Sequence, residues 1–207
     1  MEVEHSSVFF QSYYPWILHS AWSILPCFRY LLIEYACTLL AAFSLATFGP
    51  TPAALAAFAF CTALLAISAI DLKSKLLPDM LTLPLLWAGL LVNLHAVFSP
   101  LNAAVIGAAA GYILLWIVQK LFKLVRGVEG IGYGDLKLFS AIGAWFGWSS
   151  LFQVILVATL CSSIIGLEAI LSKRMRLEDP LPFGPFLSGS AVLKLFGVAS
   201  LYPLIGS

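Results

Sequence analysis

The sequence predicts an all-α membrane protein, a polytopic transmembrane helical bundle of about seven spans with its N-terminus in the cytoplasm. Three observations lead to this prediction. Hydrophobic residues make up 61% of the chain and charged residues only 10%, and the mean hydropathy is +0.99. A chain of this composition lies mostly in lipid. The apolar residues also form regular runs, and the basic residues gather in alternate loops between those runs.

The first four apolar runs are each close to the roughly 20 residues that a helix needs to cross a bilayer. Gly49-Pro50 ends the first run, Asp71 ends the second, and Ser99-Pro100 ends the third. Small residues at 107–111, inside the fourth run, suit the close packing of one helix against another. The predicted bounds of these four spans are 31–48, 53–70, 80–98 and 101–121.

Three further runs complete the bundle, at 136–148, 151–171 and 183–201. The fifth run, at 136–148, is short and rich in glycine, so we expect it to be tilted or shielded by its neighbours. Residues 1–28 are aromatic but interrupted by prolines, which favours an interfacial segment over a span. We therefore divide the chain into this segment and a membrane-embedded domain at 29–207.

The loops between the runs alternate in charge. Loops at 49–52, 98–101 and 148–151 carry no charge, whereas every basic residue except Lys194 belongs to the other set. Because basic loops stay on the cytoplasmic side of a membrane, this alternation orients all seven spans and places the amino end in the cytoplasm. The basic residues concerned are Arg29, Lys73, Lys75, Lys120, Lys123, Arg126, Lys137, Lys173, Arg174 and Arg176.

Several classes of site are disfavoured by the sequence. The four cysteines form no CxxC pair and the three histidines are scattered, so we expect no metal site and no cofactor. No basic patch with interleaved aromatic residues is present, so a nucleic acid is not expected as a partner. Glu2 and Glu4 occupy the place of a basic n-region, which argues against a cleavable signal peptide.

A glycine-rich segment, EGIGYGDLKL at 129–138, carries the strongest chemical signal. Its glycines at 130, 132 and 134 disfavour a helix by roughly 1 kcal/mol each relative to alanine, and they suit an irregular, closely packed backbone. Asp135 follows directly, where the segment enters an apolar run. A carboxylate near the bilayer core indicates a functional site, although aspartate is also a favoured helix N-cap.

Asp71 is a second carboxylate at the same predicted membrane depth as Asp135. It lies at the cytoplasmic end of the second predicted span. Two carboxylates at one membrane depth on neighbouring helices can share a proton, so that one activates water and the other polarises a carbonyl. The alternative is two separate helix caps. Asp79 is a rival to Asp71, although an N-cap role explains it fully, and Lys137 either tunes the pair or is solvated.

The ordered motifs of this chain strongly resemble those of bacterial type IV prepilin peptidases, from about residue 29 to residue 189. The resemblance rests on the glycine-rich segment above and on four others: AID at 69–71, LPDMLTLPLLWAGLL at 77–91, AIGAWFGW at 141–148 and PFGPFLSG at 182–189.

This resemblance implies a membrane aspartyl endopeptidase, a hydrolase whose catalytic pair matches Asp71 and Asp135. Gly132, Gly134, Asp79 and Lys137 match the supporting motif. The implied reaction cleaves the leader peptide of a prepilin or pseudopilin after a glycine, at the cytoplasmic face of the bacterial inner membrane. Its partners would be that substrate and the lipid bilayer, and its role would be pilus assembly or type II secretion.

The chain departs from the family in one region. Full-length members carry a cytoplasmic insert with two CxxC pairs, which binds zinc, and many also methylate the new amino terminus. Here residues 1–28 resemble only the tail of that insert, so we expect neither zinc nor methyl transfer. Two alternatives remain open: a GxGD protease that cuts within its substrate's span, and a transporter or assembly subunit that uses Asp71 and Asp135 as an ion site.

Overall fold

A computed structural model of the protein describes residues 34–127, 130–172 and 181–205. The prediction of an all-helical fold is confirmed for these residues, among which no strand occurs. The chain divides into two compact units between Phe43 and Ser44, and the site described below lies in the second. The helices are α1 (Glu34–Phe48), α2 (Pro52–Ser74), α3 (Asp79–Val92), α4 (Leu101–Arg126), α5 (Tyr133–Phe146), α6 (Trp148–Leu171) and α7 (Gly184–Ile205), with a 3-10 turn at Asn93–His95.

Turn-forming residues set several of the helix ends. Thr51 caps α2, where its side chain accepts a hydrogen bond from the amide of Ala54 at 3.4 Å, and Pro52 stands at the first helical position. Gly127 ends α4 in a left-handed conformation, with φ of 75°. The second apolar run was expected to end at Asp71, but α2 continues to Ser74, so Asp71 lies inside its last turn.

Three of the described helices are long and apolar enough to cross a membrane: Pro52–Ser74, Leu101–Val125 and Trp148–Leu171. They correspond to the second, fourth and sixth predicted spans. Glu34–Phe48 and Asp79–His95 are shorter apolar helices. The chain is therefore a membrane protein, while the number of spans and the cytoplasmic N-terminus stay predictions.

Helix α5 forms the centre of the bundle. Leu136 and every residue at 138–146 are buried, and the helix packs chiefly against α3 and α4. The expectation that the short fifth run is shielded by its neighbours is confirmed. The Trp145 indole near the end of α5 donates a hydrogen bond to the carbonyl of Leu85 in α3 at 2.8 Å, which satisfies its polar N–H.

Helices α4 and α5 approach each other at glycines. A Cβ atom on Gly107 would collide with the carbonyl of Gly143, and one on Gly143 would collide with the carbonyl of Gly107. One turn further along α4, Gly111 lies against the backbone of Phe139. The predicted close packing of the small residues at 107–111 is confirmed, and it fixes the body of α5 relative to α4.

Candidate active site

Asp71 is held in the last turn of α2, where its side chain is only 4% exposed. Its Oδ2 accepts a hydrogen bond from the backbone amide of Gly184, the first residue of α7, at 2.9 Å. The negative end of the α2 dipole disfavours a carboxylate at this position. The Gly184 amide and the positive end of the α7 dipole stabilise the carboxylate instead. Asp71 thus caps a helix 113 residues away, and this contact joins α2 to α7.

Asp135 lies in the first turn of α5 and is 8% exposed. The cap residue of α5 is Gly132, so the interpretation of Asp135 as the N-cap itself is wrong. The Asp135 amide donates to the carbonyl of Gly132 at 3.2 Å, and the backbone of Gly132 hydrogen-bonds the Asp135 carboxylate in return. The other carboxylate oxygen, Oδ1, is buried and has no hydrogen-bond partner among the described residues.

The two carboxylates line one cavity of about 330 Å³. The structure therefore brings Asp71 and Asp135 together, as the sequence predicted. The rest of the lining combines the glycine-rich segment, the residue after α2 and the residues before α7: Gly130, Ile131, Gly132, Tyr133, Lys75, Leu181, Pro182 and Phe183. A larger cavity of about 540 Å³, between Phe48, Phe98 and Lys194, is lined by no carboxylate.

The surroundings of Asp135 in the cavity raise its pKa strongly. Asp135 precedes the apolar run of α5 and lies outside the three candidate spans. Burial raises its pKa most, the nearby Asp71 charge also raises it, and the hydrogen bond from Gly132 lowers it; together they bring the pKa to about 7. A carboxyl group with this pKa holds a proton for a substantial part of the time at neutral pH, so it can donate a hydrogen bond to a substrate.

The glycines of the segment are required by close contacts. A Cβ atom on Gly134 would lie 2.5 Å from the Cβ of Leu77, so only glycine lets α5 start against the link between α2 and α3. A Cβ on Gly132 would lie 3.3 Å from the Asp135 carboxylate. Gly132 and Gly134 therefore bring the two carboxylate-bearing segments together.

Asp79 and Lys137 form an ion pair outside the cavity, with the Lys137 Nζ 2.6 Å from Asp79 Oδ1 and 2.7 Å from Oδ2. The expectation that Asp79 caps α3 is wrong, because Pro78 is the cap residue and Asp79 is the first helical residue. Lys137 is paired rather than freely solvated. The pair ties α3 to α5 near Asp135, and because Asp79 is 56% exposed it contributes little stability on its own.

Sequence reasoning missed three residues that shape the site. Gly184 donates a hydrogen bond to Asp71, and Lys75 forms part of the cavity wall. The third is Gln119 of α4, whose side chain is 1% exposed and donates to the carbonyl of Ile131 at 2.7 Å. Gln119 could have been identified from the sequence as a polar residue inside the apolar fourth run, because a buried side-chain amide needs a hydrogen-bond partner.

Within the described ranges, no three His, Cys, Asp or Glu residues lie close enough to hold a metal ion. The absence of zinc and of any cofactor stays a prediction.

Comparison with known proteins gives consistent similarities. The chain is 59% identical over 178 residues to a protein of Burkholderia pseudomallei, an alignment that covers 86% of this chain and 58% of that protein. Proteins of Aeromonas salmonicida and Pseudomonas aeruginosa are 48% and 45% identical over 160 residues, which cover 77% of this chain and 55% of each relative. All three are named prepilin leader peptidase/N-methyltransferase.

The chain spans little more than half the length of these relatives. No solved structure matches it. The model of the type IV leader peptidase family matches residues 58–167, a range that contains both Asp71 and Asp135. With more than half of its residues matched by that model, the chain belongs to the type IV leader peptidase family.

Proposed function

We propose that this protein is a membrane aspartyl endopeptidase that cleaves the leader peptide of type IV prepilins or pseudopilins. The observation that carries the proposal is the meeting of two buried carboxylates, from α2 and α5, in one cavity. Membership of the type IV leader peptidase family supports the same reaction, and so do the names of the relatives. A pair of acids in a low-dielectric cavity is the machinery of aspartyl proteolysis.

The two acids take different roles in the proposed mechanism. Asp71, whose charge is complemented by the Gly184 amide, is the ionised member and removes a proton from the attacking water. Asp135 is the protonated member and donates a hydrogen bond to the scissile carbonyl oxygen. The water oxygen then bonds to the carbonyl carbon. When the tetrahedral intermediate collapses, the C–N bond breaks and the leaving amine takes a proton from the pair.

The substrate is proposed to meet the enzyme at the cytoplasmic face of the bacterial inner membrane, in which this protein is a multi-pass component. The cavity is lined in part by Lys75, which lies in one of the loops that the charge pattern assigns to the cytoplasm. A leader peptide that precedes a hydrophobic segment would reach this depth while that segment remains in lipid. The proposed roles are pilus assembly and type II secretion.

The test is co-expression of the chain with a candidate prepilin, with the processed band followed on a gel. Asp71→Asn and Asp135→Asn should each lower the cleavage rate at least about 100-fold, because an amide cannot exchange the proton that the reaction requires. The double variant should be little worse than either single one, since residues that act as a unit are not additive. Membrane levels of all variants should equal that of the wild type.

The control is Asp79→Asn, which should retain substantial activity because the Asp79 carboxylate pairs with Lys137 outside the cavity. Normal processing by both Asp71→Asn and Asp135→Asn would contradict the aspartyl protease proposal. If Asp79→Asn is inactive and Asp71→Asn is active, the first catalytic acid is Asp79 rather than Asp71.

A further inference from the structure

Lys75 has an unusual backbone for a lysine. It ends α2 with φ of 54° and ψ of 29°, in the left-handed region, and its amide donates to the carbonyl of Asp71 at 2.8 Å. Among described residues other than glycine, Ala96 alone shares this property. Glycine, and to a lesser degree asparagine, is favoured at such a helix end because a Cβ atom is strained there. A lysine at this position therefore suggests that its side chain has a use that offsets the strain.

The surroundings of Lys75 indicate that use. Lys75 lines the cavity that contains Asp71 and Asp135, and no other lysine or arginine does so among the residues that the structure describes. No described acid lies within ion-pair distance of its ammonium, although Lys137 nearby is fully paired with Asp79. Among the described residues, none forms an ion pair that would keep the Lys75 ammonium from a molecule in the cavity.

We propose that Lys75 is a substrate-binding residue whose ammonium donates a hydrogen bond to a main-chain carbonyl of the polypeptide held in the cavity. The ionised Asp71 makes the cavity negative, so an acidic side chain would be repelled. A main-chain carbonyl is the acceptor that an extended peptide carries at every residue. The bond would hold the chain across Asp71 and Asp135, and this inference rests on the proposed peptidase function.

The experiment compares Lys75→Met with the matched variant Lys73→Met in the purified full chain, with a prepilin as substrate. Lys73 lies in the same basic stretch but is exposed and does not line the cavity. Lys75→Met should lower kcat/KM by about 10- to 100-fold, the effect of losing a hydrogen bond to a charged group, whereas Lys73→Met should stay within about 2-fold of the wild type. Lys75→Arg should restore most of the loss.

A second variant separates binding from folding. Lys75→Gly should raise the melting temperature, because glycine removes the left-handed strain, and yet lower kcat/KM as Lys75→Met does. A purely structural role predicts that stability and activity change together. Equal kcat/KM for Lys75→Met and Lys73→Met would overturn the inference about Lys75. Failure of the wild-type protein to cleave any prepilin would instead reject the proposed function on which it rests.

Discussion

Gly184 is the residue through which α7 enters the site. Its amide donates to Asp71, and a Cβ atom at this position would lie 2.7 Å from the Asp71 Oδ2. The glycine therefore lets the first turn of α7 approach the carboxylate closely enough to bond it. Because a displacement of even 1 Å at a reacting group slows catalysis strongly, this small contact has a large predicted effect.

We predict that Gly184→Ala lowers the rate of leader cleavage by about 100-fold, because the added methyl group must push Asp71 out of position. The matched control is Gly189→Ala in the same helix, where a Cβ atom would meet nothing within 4 Å. It should retain normal activity. Equal rates for the two variants, measured with the same prepilin, would show that the Gly184 contact does not matter for catalysis.

A second residue-scale prediction concerns the pH dependence that Asp135 gives to stability. Its pKa is raised from 3.8 to about 7 in the fold, so between these values the folded protein keeps a proton that the unfolded chain releases. The free energy of unfolding therefore falls as pH rises from about 4 to about 7, and the loss is complete above the folded pKa. Asp135→Asn removes this penalty because an amide does not titrate.

The melting temperature of Asp135→Asn in detergent should exceed that of the wild type, and by more at pH 8 than at pH 5. Asp79→Asn should show no such gain, since it removes an exposed carboxylate that is paired with Lys137. A difference between Asp135→Asn and wild type that is constant across this pH range would mean that Asp135 is ionised throughout.

At the scale of the helices, the crossing of α4 and α5 positions the glycine-rich segment. Gly107 and Gly143 contact each other through their backbones, and Gln119, farther along α4, holds the carbonyl of Ile131. Helix α4 thus supports both the body of α5 and the loop that precedes Asp135. A change at the crossing should therefore affect stability first and the site second.

We predict that Gly143→Ala lowers the free energy of unfolding by about 1–3 kcal/mol, because the new Cβ atom collides with the backbone of Gly107. Gly166→Ala is the control, since the nearest atom to its Cβ would be the Leu181 Cδ2 at an ordinary 3.7 Å. Thermal unfolding in detergent measures both. A Gly143→Ala protein as stable as Gly166→Ala would mean that the two helices can separate at little cost.

At the scale of the whole molecule, the orientation in the membrane determines which face the substrate reaches. The basic residues near the site, Lys73 and Lys75, belong to loops predicted to stay in the cytoplasm, and the uncharged turn at 98–101 belongs to the opposite side. The two sides are joined by α4, which runs from Leu101 to Arg126 and is long enough to cross a bilayer.

We predict that a membrane-impermeant thiol reagent added outside the cell modifies Asn102→Cys but not Lys123→Cys, in a parent that lacks its four native cysteines. Permeabilised cells supply the control, because both positions should then react. External modification at position 123 would reverse the orientation of α4 and with it the side on which cleavage is proposed.

The sequence by itself predicted the helical membrane fold, the shielding of the short fifth run and the pairing of Asp71 with Asp135. These features depend on composition, on run length and on the chemistry of rare polar residues in apolar surroundings, all of which are local properties of the chain. The glycines at 132 and 134 were also identifiable, because glycine in an apolar helical chain signals a close approach.

Only the tertiary structure decided which groups complete the site. The Gly184 amide on Asp71, the Asp79–Lys137 pair and the place of Lys75 in the cavity wall each depend on how the helices are rotated and shifted against one another. Side-chain packing at crossings such as Gly107–Gly143 sets that register, and a register shift of one residue turns a helical side chain by about 100°. Residues far apart in the chain therefore meet for reasons that no local pattern contains.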